Sequence, residues 1–150
     1  MERFGSVDET LDFAITREEE AHEFYEMLAR RVENPAMQQV FKQFAVAELG
    51  HKAKLKSVKA GTPRLSLKEV QDLRVADYVV GGKVRPDMSY ADALILAMQR
   101  EKSSYRLYLD LAGVAEAEEL TDTFLALAQE EARHKLRFEI EYDDVVLKED

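Results

Sequence analysis

Two glutamate–histidine pairs carry the chemistry of this 150-residue chain, Glu48-x-x-His51 and Glu131-x-x-His134. At a spacing of three, both side chains of a pair leave the same helix face and reach one point. Two further glutamates, Glu18 and Glu101, each stand seven residues, about two helical turns, before a tyrosine, Tyr25 and Tyr108. Carboxylate with neutral imidazole and no sulfur is a donor set for divalent metal ions.

The elements that must hold these residues are helices. Six glycines, three prolines and 34% charged residues leave few breaks. Asn34-Pro35 ends a helical pattern over about 7–33, and proline suits the first turn of the next helix, over 35–60. That helix stops at Gly61-Thr62-Pro63. A crossover over 61–88 follows, with a short helical turn starting at Leu65–Glu69 and an extended piece from Asp77 to a loop at Gly81-Gly82. Ser89 caps a third helix over 89–113, and a tight corner leads to a fourth over 116–142. The tail from Asp143 shows no clear periodicity. The fold class is all-α.

In the second helix, Met37, Phe41, Phe44, Glu48, His51, Leu55 and Val58 keep the 4-3 spacing of a buried seam. The fourth helix repeats the arrangement with Leu120, Phe124, Leu127, Glu131, His134 and Phe138. Glu18 interrupts the apolar stripe of the first helix, and Glu101 that of the third. One offset of 83 maps Glu18 to Glu101, Tyr25 to Tyr108, Phe41 to Phe124, Glu48 to Glu131 and His51 to His134. The chain reads as a duplicated helical hairpin, whose approximate two-fold axis gathers four glutamates and two histidines in one place.

Buried together, four carboxylates repel one another, and each costs on the order of several kcal/mol to desolvate. Protonation leaves the histidines unexplained. Arg17, Lys52, Arg100, Arg133 and Lys135 lie off the stripes and are expected to face water. Two divalent cations cancel the charge. Six mixed ligands suit iron or manganese better than a closed zinc site, with zinc a possible occupant in crystals.

On these residues the chain resembles the ferritin-like di-iron proteins, and among them the rubrerythrin-type helical domain. The order Glu18-x6-Tyr25, Glu48-x-x-His51, Glu101-x6-Tyr108, Glu131-x-x-His134 spans nearly all of it, and the ending Arg137–Tyr142 is similar as well. The layout of one Glu from each of two helices plus Glu-x-x-His from the other two is that of the ferritin-like class. The resemblance implies a ferritin-like four-helix bundle of two hairpins joined by a long crossover. It implies two irons bridged by Glu48 and Glu131, with Glu18 and His51 completing one site and Glu101 and His134 the other. Tyr25 and Tyr108 then donate hydrogen bonds that orient ligand carboxylates. Where rubrerythrins carry an additional glutamate one turn after the third-helix ligand, this chain has Ser104. It also lacks the cysteines of their appended rubredoxin-like domain, so an external electron donor is expected.

The activity so implied is reduction of peroxide or dioxygen with electrons from Fe(II). Two alternatives stand beside it: iron oxidation with storage or delivery, and a non-enzymatic, metal-stabilised binding module. Thirty acidic against 21 basic residues, a net charge of -9, argue against a nucleic-acid partner. Nothing approaches a membrane span, and Met1–Ser6 carries no apolar leader, so a cytoplasmic protein is the expectation; the resemblance implies a homodimer, for which the two-fold relation leaves suitable faces. His22, the third histidine, is read as partly exposed rather than as a further ligand, and Glu130 as part of a solvated helix face, with acceptance from a ligand histidine as its alternative.

Overall fold

The computed structural model describes residues 3–81, 84–85 and 87–149. The first four α-helices open on side-chain caps that the sequence supplies. Ser6 Oγ accepts the Glu9 amide at 3.0 Å to start α1 (Val7–Arg31). Asn34 accepts from Ala36 and Met37 to start α2 (Pro35–Ala60), with Pro35 in the first turn where no amide is needed. The short α3 (Leu67–Asp72) begins at Ser66, and α4 (Tyr90–Val114) at Ser89, which accepts from Asp92 at 3.1 Å. The last helix is α5 (Glu118–Glu149).

Several boundaries differ from the sequence reading, those of α4 by one residue at each end. The first helix stops at Arg31, and the last begins at Glu118, after a corner in which Glu116 donates to the Arg64 carbonyl at 2.8 Å. More substantially, α5 runs on to Glu149 instead of ending near Tyr142. Phe138, Tyr142 and Val145 continue the 4-3 spacing, and the latter two pack on the cluster around Phe138 and Met88. Asp77 and Tyr78 are not extended but belong to a 3-10 turn, Val75–Tyr78. The turn buries the Tyr78 ring, whose hydroxyl donates to Asp110 at 2.6 Å. Gly82, where the sequence reading ends that piece, lies outside the described residues.

The long helices pack as α1 with α2 and α4 with α5, two hairpins forming a ferritin-like four-helix bundle. Residues related by the offset of 83 occupy equivalent places: Leu11 and Leu94, Tyr25 and Tyr108, Leu28 and Leu111, Phe41 and Phe124, Leu55 and Phe138 are all buried. They divide into two apolar clusters. One holds Leu11, Leu55, Leu111 and Phe124, the other Leu28, Phe41, Leu94 and Phe138. Between them, along the bundle axis, lies the polar layer. The crossover joins the hairpins and is pinned at both ends, by the Ser66 amide on the Val114 carbonyl at 2.9 Å and by Tyr78.

Where α2 stops, Thr62 takes φ 55°, a left-handed conformation that crowds a β-branched side chain. Relief of that strain exceeds the entropic cost of glycine, so Thr62→Gly is expected to stabilise the fold by about 0.5–1 kcal/mol. An upward shift in the urea midpoint with unchanged slope is the signature to look for.

Candidate metal centre

All six candidate ligands reach the polar layer. Glu18, Glu48, Glu101 and Glu131 are each 1% exposed, His51 4% and His134 6%. They form two overlapping groups, Glu18–Glu48–His51–Glu131 and Glu48–Glu101–Glu131–His134. Within each group, one oxygen or nitrogen from every residue lies within 4.8 Å of the others. Glu48 and Glu131 belong to both.

One buried atom from each residue has no hydrogen-bond partner: Glu18 Oε2, Glu48 Oε1, His51 Nδ1, Glu101 Oε2, Glu131 Oε1 and His134 Nδ1. His51 Nδ1 lies 2.8 Å from Glu131 Oε1, and His134 Nδ1 3.1 Å from Glu48 Oε1, but neither contact has hydrogen-bond geometry. Orphaned buried polar atoms are rare and costly, and six converging on one layer call for a ligand. Oxygen and imidazole nitrogen make this donor set fit a divalent metal ion.

The remaining polar atoms hold the six in place. Tyr25 on α1 donates to Glu101 Oε1 on α4, and Tyr108 on α4 donates to Glu18 Oε1 on α1. Each end carboxylate thus spends one oxygen on a tyrosine from the opposite hairpin and keeps the other free for the centre. His51 Nε2 meets Glu130 Oε2 at 2.8 Å, which fixes the imidazole with Nδ1 inward. Glu130 is therefore not merely a solvated surface residue. The offset of 83 places Ala47 at its equivalent, so this contact has no counterpart at His134. There the ring stacks on Phe44 instead, with centroids 3.9 Å apart.

His22 lies outside both groups. Its Nδ1 faces the Ala45 carbonyl at 2.7 Å and its Nε2 pairs with Glu26, so it ties α1 to α2. Among the off-stripe cations Arg133 is exposed, whereas Arg17, Lys52, Arg100 and Lys135 are half-buried; the Arg17 guanidinium turns onto the Tyr78 carbonyl at 2.9 Å, and that of Arg100 lies over the Phe24 ring.

Electrostatics separate the carboxylates. Burial, then repulsion from the neighbouring carboxylates, pushes Glu48 and Glu131 well above the usual range. Burial acts on Glu18 in the same direction, but the close approach of Glu48 and His51 and the hydrogen bond from Tyr108 outweigh it and hold the group low. For His51, burial lowers the pKa, yet Glu18, Glu48 and Glu130 together raise it to about 9. Burial, with adjacent carboxylates, pushes Tyr25 and Tyr108 far up, so both remain hydrogen-bond donors.

Residues 9–142 match the family Rubrerythrin. The chain belongs to the rubrerythrin family. Its fold is also that of a Thermotoga maritima protein described as ferritin-like and diiron-carboxylate, with a TM-score of 0.80, 22% identity and coverage of 97% of this chain and 99% of the other. A hypothetical protein of Pyrococcus furiosus aligns with a TM-score of 0.75 and 24% identity, over 93% and 89% of the two chains. At such identities the likeness is one of fold. No curated protein matches the sequence. Among the described residues of this rubrerythrin-family chain, no helix is long and apolar enough to cross a membrane.

Two predictions follow from the charges. In the metal-free protein, Glu48 and Glu131 keep protons that the unfolded chain releases above its pKa of 4.5, so their contribution to stability falls as pH rises. His51 acts in the same sense: its contribution is full below 6.5 and is lost as pH rises through about 9. Glu18, held low, adds no slope above 4.5. The metal-free melting temperature is therefore expected to drop between pH 6.5 and 9, while the metal-loaded protein, its ligands already deprotonated, holds level. Parallel melting profiles with and without metal would contradict this. In addition, Glu131→Gln replaces a buried carboxyl with an uncharged isostere and should stabilise the metal-free chain by about 1–3 kcal/mol. The same change should cut metal uptake, read by equilibrium dialysis.

Proposed function

We propose that this protein is a two-metal oxidoreductase of rubrerythrin type that reduces peroxide or dioxygen at the Glu/His centre. The observation that carries the reading is the pair of overlapping four-ligand groups sharing Glu48 and Glu131, with one orphaned donor atom from each of six residues. Glu48, Glu131, Glu18 and His51 would hold one ion, and Glu48, Glu131, Glu101 and His134 the other. Two redox-active ions bound there, iron by preference and manganese as the alternative, would supply two electrons, the number needed to take one peroxide and two protons to two waters.

The chain's own residues set the conditions. Four carboxylates balance the charge of two divalent ions. Glu48 and Glu131 give up their protons when metal enters, which makes affinity rise with pH. Tyr25 and Tyr108 keep Glu101 and Glu18 oriented across the hairpin boundary, and their raised pKa values keep those phenols protonated at neutral pH. The apolar clusters on either side limit water. An external electron donor restores the reduced state.

Metal analysis of protein purified without added metal is expected to give iron. Loaded anaerobically with two Fe(II) per chain, the protein should change its absorption within seconds to minutes of mixing with peroxide or dioxygen in a stopped-flow instrument. A fully loaded protein whose spectrum neither oxidant alters would end the enzyme reading.

A further inference from the structure

A small enclosed cavity of about 10 Å³ opens onto the centre between α1 and α4. Its walls include Arg17 and Ala21 from α1 and Arg100 and Ser104 from α4, with Glu101 and Glu131 facing into it from the polar layer. The volume is about that of one water-sized probe. It exists because two positions are small. Ala21 and Ser104 are related by the offset of 83, and each lies one turn beyond a ligand, Glu18 or Glu101. A long side chain at either place would fill it. Glu101 Oε2 and Glu131 Oε1, two of the orphaned atoms, belong to residues lining this space.

Arg17 and Arg100 are related by the same offset, and their settings differ. Arg17 is fixed by its bond to the Tyr78 carbonyl at 2.9 Å. Arg100 rests on the Phe24 ring, 4.9 Å from its centroid, and among the described residues no hydrogen bond or ion pair fixes it. On its outer side Arg100 also borders an open recess of about 310 Å³ formed with Glu20, Glu23, Phe24, Met27 and Val84. Arg100 and Glu20 thus line both spaces and stand at the boundary between them.

We propose that this cavity is the port through which a small electron-rich ligand reaches the centre, with Arg100 as its gate and Arg17 as a fixed hydrogen-bond donor beside it. The inference rests on the reading of the centre as a metal site. Once cations neutralise the ligand carboxylates, the cavity is flanked by two guanidinium groups against the single exposed carboxylate of Glu20. Ligands that offer lone pairs, such as peroxide or a small anion, are received by the guanidinium N–H groups. A metal cation entering the same way is repelled by both. Arg17 and Arg100 are positioning residues here.

Azide titrated into the Co(II)-loaded protein tests the port without any redox step, through the visible bands of the bound cobalt. Arg100→Gln is expected to weaken azide about tenfold and to flatten the salt dependence of binding. Arg100→Lys should retain most of the affinity. Ser104→Leu, or Ala21→Leu if the first variant folds poorly, should block azide while cobalt content stays at the wild-type value. Wild-type azide binding in both Arg100→Gln and the folded plug variant would overturn the port. So would a result in which Arg100→Gln alters only the rate of cobalt uptake, because the cavity would then be a cation route. Failure of Fe(II) oxidation in the wild type bears on the enzyme reading alone, since the azide titration needs only a bound metal.

Discussion

Repulsion among four carboxylates buried in one layer is the constraint to which the other features of this bundle answer. Each headgroup is almost wholly removed from water, so its charge is neither hydrated nor screened. Protons can relieve the strain in part, and the upward displacement of Glu48 and Glu131 shows where they go. Protons alone do not satisfy the six inward atoms, which lack partners in the folded chain. A layer that is unfavourable when empty and compensated when it holds cations couples stability to metal through the same residues. The apolar clusters at either end then provide the surplus that lets such a layer persist in a folded bundle.

Position within that layer is set by exchange between the halves. Tyr25 and Tyr108 each reach a glutamate on the other hairpin, so the two hairpins must dock in one register for either hydrogen bond to form. The crossover makes this docking possible by returning the chain to repeat the first hairpin's direction. Tyr78 fastens its far end, accepting from both Arg17 and Ser103 through its carbonyl and donating to Asp110 through its hydroxyl. One buried aromatic therefore ties α1, α4 and the connector together beside the polar layer.

The helices and six inward residues were legible in the sequence because they depend on periodicity, which is local. A glutamate in a 4-3 seam is conspicuous, and its repetition at an offset of 83 makes accident improbable. The continuation of α5 past Tyr142 was harder to read, since Asp143, Asp144 and Lys148 obscure a stripe held by Tyr142 and Val145 alone. The 3-10 turn at Val75–Tyr78 depends on tertiary anchoring of one ring, for which four residues carry no periodic signal. The role of Glu130 is ranked second in the sequence reading for a related reason. It lies next to Glu131 on α5 and points to a different side, so only the approach of α2 brings His51 to it. Its lack of an equivalent, Ala47 standing at the offset position, was the available clue.

That missing equivalent has a chemical consequence. The duplication keeps the inward atoms of the two halves alike, but the outward nitrogens of the two imidazoles meet different surroundings. A carboxylate on His51 Nε2 raises the basicity of that ring and thereby strengthens Nδ1 as a donor. Its half-exposed position also leaves it open to solvent. His134 lies against the Phe44 ring, a contact that restrains its orientation without adding charge. Two positions with the same ligand types are in this way given different donor strengths by residues that do not touch the ligand atoms. The His51 side is the more electron-rich of the two, although the inward atoms of both halves are alike.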